Sequence, residues 1–172
     1  MIDPTLIIFS GLPGTGKTTL SRKLAAHTQK PLLAIDTLFE IPENMLACAD
    51  PFWESLIHIL LAFTEDQLAL GLSVIVDSVF MGEDREQARQ LAIKHKADFK
   101  AIHAFNSDER MWEKRLTARQ LQYPEIEMAS WASVQEQRKD FWPWDENNAL
   151  FADSADPVEV NFAKILAYLD LS

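Results

Sequence analysis

Residues 5–18 read TLIIFSGLPGTGKT, an apolar run that leads into a glycine-rich loop. The part from 11 to 18 matches the phosphate-binding pattern G-x-x-x-x-G-K-[ST] at every fixed position. Leu20 and Leu24 follow at helical spacing, so a strand, a loop and a helix are predicted in that order. The backbone N–H groups of such a loop and the N-terminus of its helix converge on one anion. This stretch therefore predicts a nucleotide-binding loop.

The residue types in the loop suit contact with phosphates. Gly14 and Gly16 can adopt backbone conformations that side chains forbid. Lys17 supplies a charge for the β and γ phosphates, and the Thr18 hydroxyl is an expected Mg²⁺ ligand. A glycine-rich turn that matches by chance is the alternative, and the strand and helix around the loop argue against it. The predicted nucleotide-binding residues are Gly11, Pro13, Gly14, Thr15, Gly16, Lys17, Thr18 and Thr19.

Short apolar runs alternate with longer segments of helical period along the rest of the chain. Most of these runs are too uniformly apolar for one face to meet water, which is typical of a parallel sheet covered by helices. The sequence thus predicts an α/β fold of the P-loop NTPase class, with a five-stranded parallel sheet sandwiched by helices. The predicted strands are Thr5–Phe9, Leu32–Ile35, Ser73–Val76, Phe99–Phe105 and Ala149–Ala152. The predicted helices are Lys17–His27, Phe52–Leu61, Asp84–Lys96, Ser107–Gln120, Glu125–Phe141 and Pro157–Leu169.

Two helices carry more detailed expectations. The helix from Phe52 is expected to bury Leu56, Leu60 and Phe63 on one face, because these residues recur at helical spacing. The last helix is expected to start with Asp156 as its N-cap, and Glu159 would complete a capping box.

Size and composition narrow the class of protein. The 172 residues fit a single domain, 1–172, because no repeat or linker marks a boundary. A net charge of −10 disfavours a nucleic-acid partner, whose phosphates need many cationic contacts. A single cysteine excludes an intrachain disulfide, and no apolar run suits a membrane span or a signal peptide. The sequence therefore predicts a soluble cytoplasmic protein without a membrane partner.

Two carboxylates follow predicted strands at the edge of the sheet where ligands bind in such folds, Asp36 after strand two and Asp77 after strand three. Asp36 is expected to accept the proton of an attacking hydroxyl. Asp77 is expected to hold a metal-bound water beside Thr18. The alternative for Asp36 is helix capping, which a T-x-x-E capping box formed by Thr37 and Glu40 argues against. The alternative for Asp77 is the capping of a turn.

The helix predicted after strand four carries Arg115 and Arg119, which are four residues apart and therefore neighbours. Like charges at this spacing destabilise a helix unless an anion or an acid lies between them. A bound nucleotide would supply that anion, so both arginines are candidate catalytic residues in a lid and acceptor region around residues 107–145. The alternative is a solvated face with Glu109 and Glu113, which suits the other cations of this helix equally well.

Four stretches of the sequence together resemble a known family of proteins: IIFSGLPGTGKTTLSRKLA, LLAIDTLFE, LGLSVIVDSVFMGEDREQARQLA and DERMWEKRLTAR. They resemble the P-loop kinases of the zeta-toxin and chloramphenicol phosphotransferase group, which are small AAA-type ATP-dependent kinases, over nearly the whole chain. The most specific part after the loop is the pairing of the segments DTLFE and VDSVFMG after strands two and three. The resemblance implies Asp36 as general base. It also implies Lys17 and Thr18 at the phosphates and the metal, with Arg115 or Arg119 closing on ATP.

These features together predict an ATP- and Mg²⁺-dependent kinase that phosphorylates a hydroxyl of a small molecule. Its predicted catalytic residues are Asp36, Lys17, Arg115 and Arg119. Relatives with phosphorylated or polynucleotide acceptors often carry a basic residue near the second-strand aspartate, whereas residues 37–41 are uncharged or acidic. A neutral or cationic acceptor is therefore expected. The alternative is a regulatory or interaction ATPase without an acceptor, which would have no use for a base at Asp36.

Overall fold

A computed structural model describes residues 3–38, 52–122, 130–141, 144–145 and 148–171, with the backbone alone at 52 and 53. These ranges contain five strands and seven helices. The strands are β1 Thr5–Ser10, β2 Leu32–Ala34, β3 Val74–Asp77, β4 Asp98–Phe105 and β5 Leu150–Asp153. The helices are α1 Lys17–Thr28, α2 Ile35–Leu38, α3 Phe52–Ala69, α4 Gly82–Lys94, α5 Glu109–Gln122, α6 Trp131–Asp140 and α7 Val158–Tyr168.

All five strands pair in parallel, in the spatial order β2-β3-β1-β4-β5. Phe9 of β1 is in register with Asp77 of β3, and Ser10 is in register with His103 of β4. Because β1 is the central strand, the loop that follows it emerges between the ends of β3 and β4. The predicted five-stranded parallel sheet flanked by helices, of the P-loop NTPase class, is confirmed.

Alternate residues of β1 enter two cores on opposite faces of the sheet. Ile7 and Phe9 pack with apolar residues of α1 and α7. Leu6 and Ile8 pack with apolar residues of α3 and α4. Each of these four side chains is at most 1% exposed. The strand is therefore buried on both faces, as its continuous apolar run indicates.

A third, smaller core joins α5 and α6 to the phosphate loop. Trp112 and Leu116 of α5 and Val134 of α6 pack with Leu12 of the loop and with Val79, which follows β3. All five side chains are buried. The two helices of the predicted lid region are thus attached to the loop by apolar contacts.

Several predicted elements end at different residues. β2 stops at Ala34, and Ile35, which was predicted as a strand residue, begins the short helix α2. The helix predicted to end at Leu61 continues to Ala69. Of the helix predicted over 125–141, the described part is α6, and residues 123–129 lie outside the described ranges. Ends shift more than element types because a single hydrogen bond at a terminus decides them.

The buried face of α3 differs from the predicted one at Phe63. Leu56 and Leu60 are buried as expected, whereas Phe63 is 51% exposed and Thr64 is fully buried. The hydroxyl of Thr64 donates to the carbonyl of Leu60 at 2.8 Å, so this polar group needs no water. Neither α3 nor another helix of the described ranges is long and apolar enough to cross a membrane.

The capping box predicted for the last helix is wrong. The N-cap of α7 is Pro157, whose side chain forms no capping hydrogen bond, and not Asp156. The carboxylate of Asp156 accepts from Lys164 at 3.1 Å, and that of Glu159 accepts from Lys23 of α1, also at 3.1 Å. The Glu159 carboxylate also accepts from its own backbone N–H, so it contacts the first turn of α7 without completing a capping box with Asp156.

Candidate active site

The loop between β1 and α1 turns on glycines with positive φ, 140° at Gly11, 77° at Gly14 and 87° at Gly16. A Cβ at Gly11 would lie 2.1 Å from the carbonyl oxygen of Ala104, and one at Gly14 would lie 2.7 Å from Leu116 Cδ2. Only glycine meets both the conformational and the steric demand at these two positions. The loop is therefore closely enclosed by β4 on one side and by α5 on another.

Hydrogen bonds within the loop hold its shape. The carbonyl of Leu12 accepts from the Thr15 hydroxyl at 2.7 Å and from the Lys17 ammonium at 3.4 Å. Lys17 is only 9% exposed, so its charge is held inside the loop. Thr18 is half-buried and Thr19 is exposed to solvent. The concave, cationic centre of the loop is the arrangement that phosphates require.

Asp77 ends β3 beside the loop and is 2% exposed. Its Oδ2 accepts a hydrogen bond from Ser21 Oγ at 2.9 Å. Burial raises the pKa of the Asp77 carboxyl, and the charge of Lys17 and the hydroxyls of Ser21 and Thr18 oppose this shift. A carboxylate and the Thr18 hydroxyl are suitable for Mg²⁺, which keeps several waters and needs few protein ligands. Within the described residues, no group of three or more His, Cys, Asp or Glu side chains offers a metal site of another kind.

Asp36 lies in the first turn of α2, directly after β2. Its Oδ2 accepts from Arg119 Nη2 of α5 at 3.2 Å, and the two side chains are 42% and 38% exposed. Asp36 is also close enough to Asp77 to repel its charge. The capping box predicted beside it does not cap α2, because Thr37 lies inside that helix, and Glu40 is outside the described residues.

The two arginines of α5 have separate partners and do not share one. Arg115 donates from Nη1 to the hydroxyl of Ser154 at 3.0 Å and from Nη2 to its carbonyl at 3.1 Å. Ser154 follows β5, and its Cβ lies 3.2 Å from the position that a Cβ on Gly16 would take. Arg119 contacts Asp36, which follows β2, and β2 and β5 are the outermost strands on the two sides of the sheet. The sequence brings the two guanidinium groups to one helix face, and the fold separates their contacts.

Helix α5 also contacts the phosphate loop through a hydrogen bond. Trp112 Nε1 donates to the carbonyl of Pro13 at 2.8 Å. The ring of Trp131, on α6, packs edge to face on Trp112 with centroids 5.5 Å apart. Glu109, which was expected to face the cations of its own helix, instead pairs with Arg138 of α6 at 2.6 Å. Helices α5 and α6 therefore form a connected unit on the loop.

Arg85, in the first turn of α4, is a candidate site residue that the sequence patterns did not indicate. Its Nε donates to the carbonyl of Phe80 at 2.7 Å, and its Cζ lies 5.1 Å and 4.9 Å from the ring centroids of Phe141 and Trp144. Burial lowers the pKa of the guanidinium group. Its Nη2 is buried without a hydrogen-bond partner among the described residues. No local pattern could reveal this site, because the rings come from distant parts of the chain.

A buried polar network lies on the same face of the sheet. Trp144 Nε1 donates to Ser10 Oγ at 2.6 Å, and Ser10 Oγ lies 3.3 Å from His103 Nδ1. Burial, together with the charges of Arg85 and Lys17, lowers the pKa of His103 to about 4. The imidazole is therefore neutral near pH 7. This network fixes the residue that immediately precedes the phosphate loop.

Comparisons with known proteins agree with this fold. The family model described as the AAA domain matches residues 6–143. Three of the similar solved structures are a candidate kinase of Chloroflexus aurantiacus, a gluconokinase of Sinorhizobium meliloti, and the APS kinase of Mycobacterium tuberculosis in complex with AMPPNP and APS. The comparison with curated proteins found no match.

The three structures cover almost the whole chain. The Chloroflexus protein is 25% identical, with a TM-score of 0.76 and 98% of each chain covered. The gluconokinase is 21% identical, with a TM-score of 0.69, 99% of this chain and 94% of that chain covered. The APS kinase is 16% identical, with a TM-score of 0.70 and 99% of each chain covered. The fold is that of small P-loop kinases, and because the family model spans most of its residues, the chain belongs to the AAA domain family.

Proposed function

We propose that this protein is an ATP- and Mg²⁺-dependent kinase that transfers the γ-phosphoryl group to a hydroxyl of a small molecule. The observation that carries this proposal is the position of Asp36, a partly exposed carboxylate at the same sheet edge as Lys17 and the phosphate loop. A carboxylate in such a place can accept the proton of an attacking hydroxyl. The AMPPNP bound to the APS kinase of similar fold supports ATP as the donor.

The phosphate side of the reaction depends on charge stabilisation. Lys17, the N–H groups of the loop and the N-terminus of α1 would bind the phosphates. Thr18 would hold Mg²⁺ directly, and Asp77 would hold it through a water. The bound ion supplies further neutralisation of the phosphate charge. The burial of Asp77 supports this role, because a buried carboxylate needs a positive partner.

The α5–α6 unit is the lid in this proposal, within the lid and acceptor region of residues 107–145. Arg119 contacts Asp36 from α5, and ATP would bring new negative charge close to both. Arg119 can then pair with the phosphates, and the Asp36 carboxylate becomes free to accept the proton of the acceptor hydroxyl. Arg115, at Ser154 beside Gly16, is suited to the opposite, nucleotide side of the loop.

The test is Asp36→Asn, assayed for phosphoryl transfer from labelled ATP to a panel of alcohols. The variant should lower kcat by about 10²- to 10⁴-fold, the usual contribution of a general base. The KM for ATP should stay within about twofold, because the described hydrogen bond of the Asp36 carboxylate is with Arg119 of α5 and not with the loop. Asp156→Asn is the matched control, since this carboxylate also forms an exposed ion pair, with Lys164. Unchanged turnover in Asp36→Asn would refute the assignment of the base.

The Asp36–Arg119 ion pair also suits a second function, a regulatory or interaction ATPase without an acceptor. In such a protein the carboxylate would only hold α5 against α2. Asp36→Asn would then alter the dissociation of the nucleotide while ATP hydrolysis continued. Neither the wild-type protein nor the variant would form a phosphorylated alcohol.

Three finer assignments belong to the same proposal. Membership of the zeta-toxin and chloramphenicol phosphotransferase group is supported by the DTLFE and VDSVFMG segments. A single domain over 1–172 is supported by a family match that runs from residue 6 to residue 143. A cytoplasmic location is supported by the presence of one cysteine, which leaves no intrachain disulfide to maintain.

A further inference from the structure

Arg85 is a half-buried cation that forms no direct ion pair with the described residues, although the charge of the adjacent Asp84 attracts it. Its guanidinium lies between the rings of Phe141 and Trp144, and its Nη2 is buried without a hydrogen-bond partner. Its Nε donates to the carbonyl of Phe80, which leaves Nη2 as the donor without a partner in the described ranges. Because an unpaired charge is expensive to bury, proteins normally supply it with an opposite charge or a ligand.

Among the described residues, Asp84 is the carboxylate whose charge acts on Arg85, and it forms no direct ion pair with the guanidinium. Asp84 precedes Arg85 in the chain, and its Oδ2 accepts from the backbone N–H of Met81, so this carboxylate serves the N-terminus of α4. His103 is neutral near pH 7. Lys17, the other cation that acts on His103, adds positive charge. Apart from Asp84, the described groups around Arg85 are aromatic rings, a neutral imidazole and a further cation, and its Nη2 still lacks a partner among the described residues, which favours an anion.

The location of Arg85 is that of a ligand-binding residue. It lies in the first turn of α4, just after the β3 end that carries Asp77, at the sheet edge where ligands bind in this class of fold. The bond to Phe80 and the two rings fix the group in one orientation. Ser78, in the same connection between β3 and α4, has a fully buried hydroxyl that also lacks a hydrogen-bond partner in the described part of the chain.

We propose that Arg85 binds an anionic group of the acceptor, a carboxylate in preference to a phosphate. This inference rests on the proposed kinase function and specifies its substrate class. A guanidinium binds a carboxylate through two parallel hydrogen bonds. One cation offsets one negative charge, and the site already contains Asp36 and Asp77 and would receive ATP, so a doubly charged acceptor would be repelled.

This proposal replaces the expectation of a neutral or cationic acceptor. That expectation rested on the acidic crevice and on the lack of positive charge near Asp36 in sequence, where positions 37–41 carry none. The fold brings a cation to the same sheet edge from α4, and the acceptor can then carry one negative charge.

The test compares acids with the matching alcohols as acceptors, D-gluconate with D-glucitol and D-glycerate with glycerol, using labelled ATP. The wild-type protein should prefer the acid by at least about tenfold in kcat/KM, the usual scale of a charge-assisted hydrogen bond. Arg85→Met should reduce the preference to within about threefold, because the anion loses its partner. The KM for ATP should not change. Arg85→Lys keeps the positive charge but loses the two parallel N–H donors of the guanidinium group, so it should give an intermediate preference for the acid.

Arg89→Met is the control variant. Arg89 lies one turn further along α4 and also stacks on an aromatic ring, 5.3 Å from the centroid of Phe99, so its removal should keep the preference for the acid.

A second experiment measures acceptor binding without turnover. With AMPPNP and Mg²⁺ in the phosphate loop, gluconate should raise the Tm of the wild-type protein and of Arg89→Met, whereas glucitol should not. Arg85→Met should show no gluconate shift.

Three results would overturn the inference: equal use of acids and alcohols, retention of the acid preference in Arg85→Met, or preference for a phosphomonoester. If the alcohols are phosphorylated in a reaction that depends on Asp36 but not on Arg85, the inference about Arg85 fails and the kinase proposal stands. If no acceptor is phosphorylated and gluconate gives no shift, both fail.

Discussion

Arg115 and Arg119 lie one turn apart on α5, yet one contacts Ser154 beside the glycine-rich loop and the other contacts Asp36 beside β2. Residues of the same type on one helix face therefore have different expected effects on the reaction. The difference comes from the partner of each side chain, since Ser154 follows β5 and Asp36 follows β2, the two outermost strands of the sheet.

Replacement of each arginine by methionine should separate these effects. Arg119→Met should lower kcat, and Arg115→Met should raise the KM for ATP, each by about tenfold or more if a charge-assisted contact to the ligand is lost. The Tm without ATP should change little, because ion pairs as exposed as Arg119–Asp36 contribute about 1 kcal/mol at most. Steady-state kinetics and thermal melts check both points. A large loss of Tm with normal kinetics would show that the arginines have structural roles only.

His103 makes the stability of the protein depend on pH. Its pKa is about 4 in the folded protein, chiefly because of burial, against an ordinary value of 6.5. Between these values the unfolded chain binds a proton that the folded protein does not bind. Stability should therefore be unaffected by this group above pH 6.5 and should fall as the pH is lowered towards 4, by about 3 kcal/mol in total.

Urea unfolding of the wild-type protein and of His103→Gln at pH 7 and pH 4.5 measures this contribution. The glutamine variant should lose less stability on acidification, because glutamine at position 103 takes up no proton. The carboxylates titrate in both proteins and cancel in the comparison. Equal losses would mean that the pKa of His103 is the same in the folded protein and in the unfolded chain.

At the scale of elements, α5 acts on the phosphate loop as a support. Leu116 packs so closely on Gly14 that no Cβ fits there, and Trp112 Nε1 holds the carbonyl of Pro13 at 2.8 Å. The shape of the loop therefore depends on the position of α5 as well as on its own sequence. Any movement of α5 on ligand binding would be transmitted to the loop through these contacts.

Trp112→Phe keeps an aromatic ring and removes the donor to Pro13. The lost hydrogen bond is worth about 1 kcal/mol, so the KM for ATP should rise about fivefold while kcat at saturating ATP changes less. Trp131→Phe is the control, because Trp131 packs on Trp112 and its described contacts include no hydrogen bond to the loop. An equal rise in both variants would assign the effect to packing between α5 and α6.

At the scale of the whole molecule, the proposed function requires a protein of net charge −10 to bind a polyanion, ATP. The cations at the phosphate loop are concentrated at one point, where Lys17 is enclosed and the N-terminus of α1 begins. A local positive field can bind phosphates against an unfavourable net charge because screening weakens distant charges beyond about 10 Å.

ATP with Mg²⁺ should therefore stabilise the folded protein. At a hundredfold excess over Kd the gain is about 2.7 kcal/mol, which for a domain of this size raises Tm by about 5 to 10 °C. Removal of the metal with EDTA should reduce the shift, and Lys17→Ala should reduce it further. Thermal melts with and without each ligand measure these shifts. A full shift in Lys17→Ala would show that ATP binds elsewhere.

The sequence by itself determined the order of strands and helices, the parallel sheet and the identity of the phosphate loop. These features depend on local patterns, namely uniformly apolar strands, helical periodicity and glycines at positions with positive φ such as Gly14. It also indicated that Asp36 and Asp77 lie at one sheet edge, because the carboxyl ends of parallel strands meet there.

Only the tertiary structure decided the partners of the charged and aromatic side chains. Arg119 with Asp36, Arg85 between two rings, and Trp112 on the loop are contacts between residues that are far apart in the chain. Long side chains reach several alternative partners, so their choice depends on how the elements pack and on which charges remain unpaired. A local pattern contains neither piece of information, and for that reason the cation that the acceptor would meet became visible only in the folded chain.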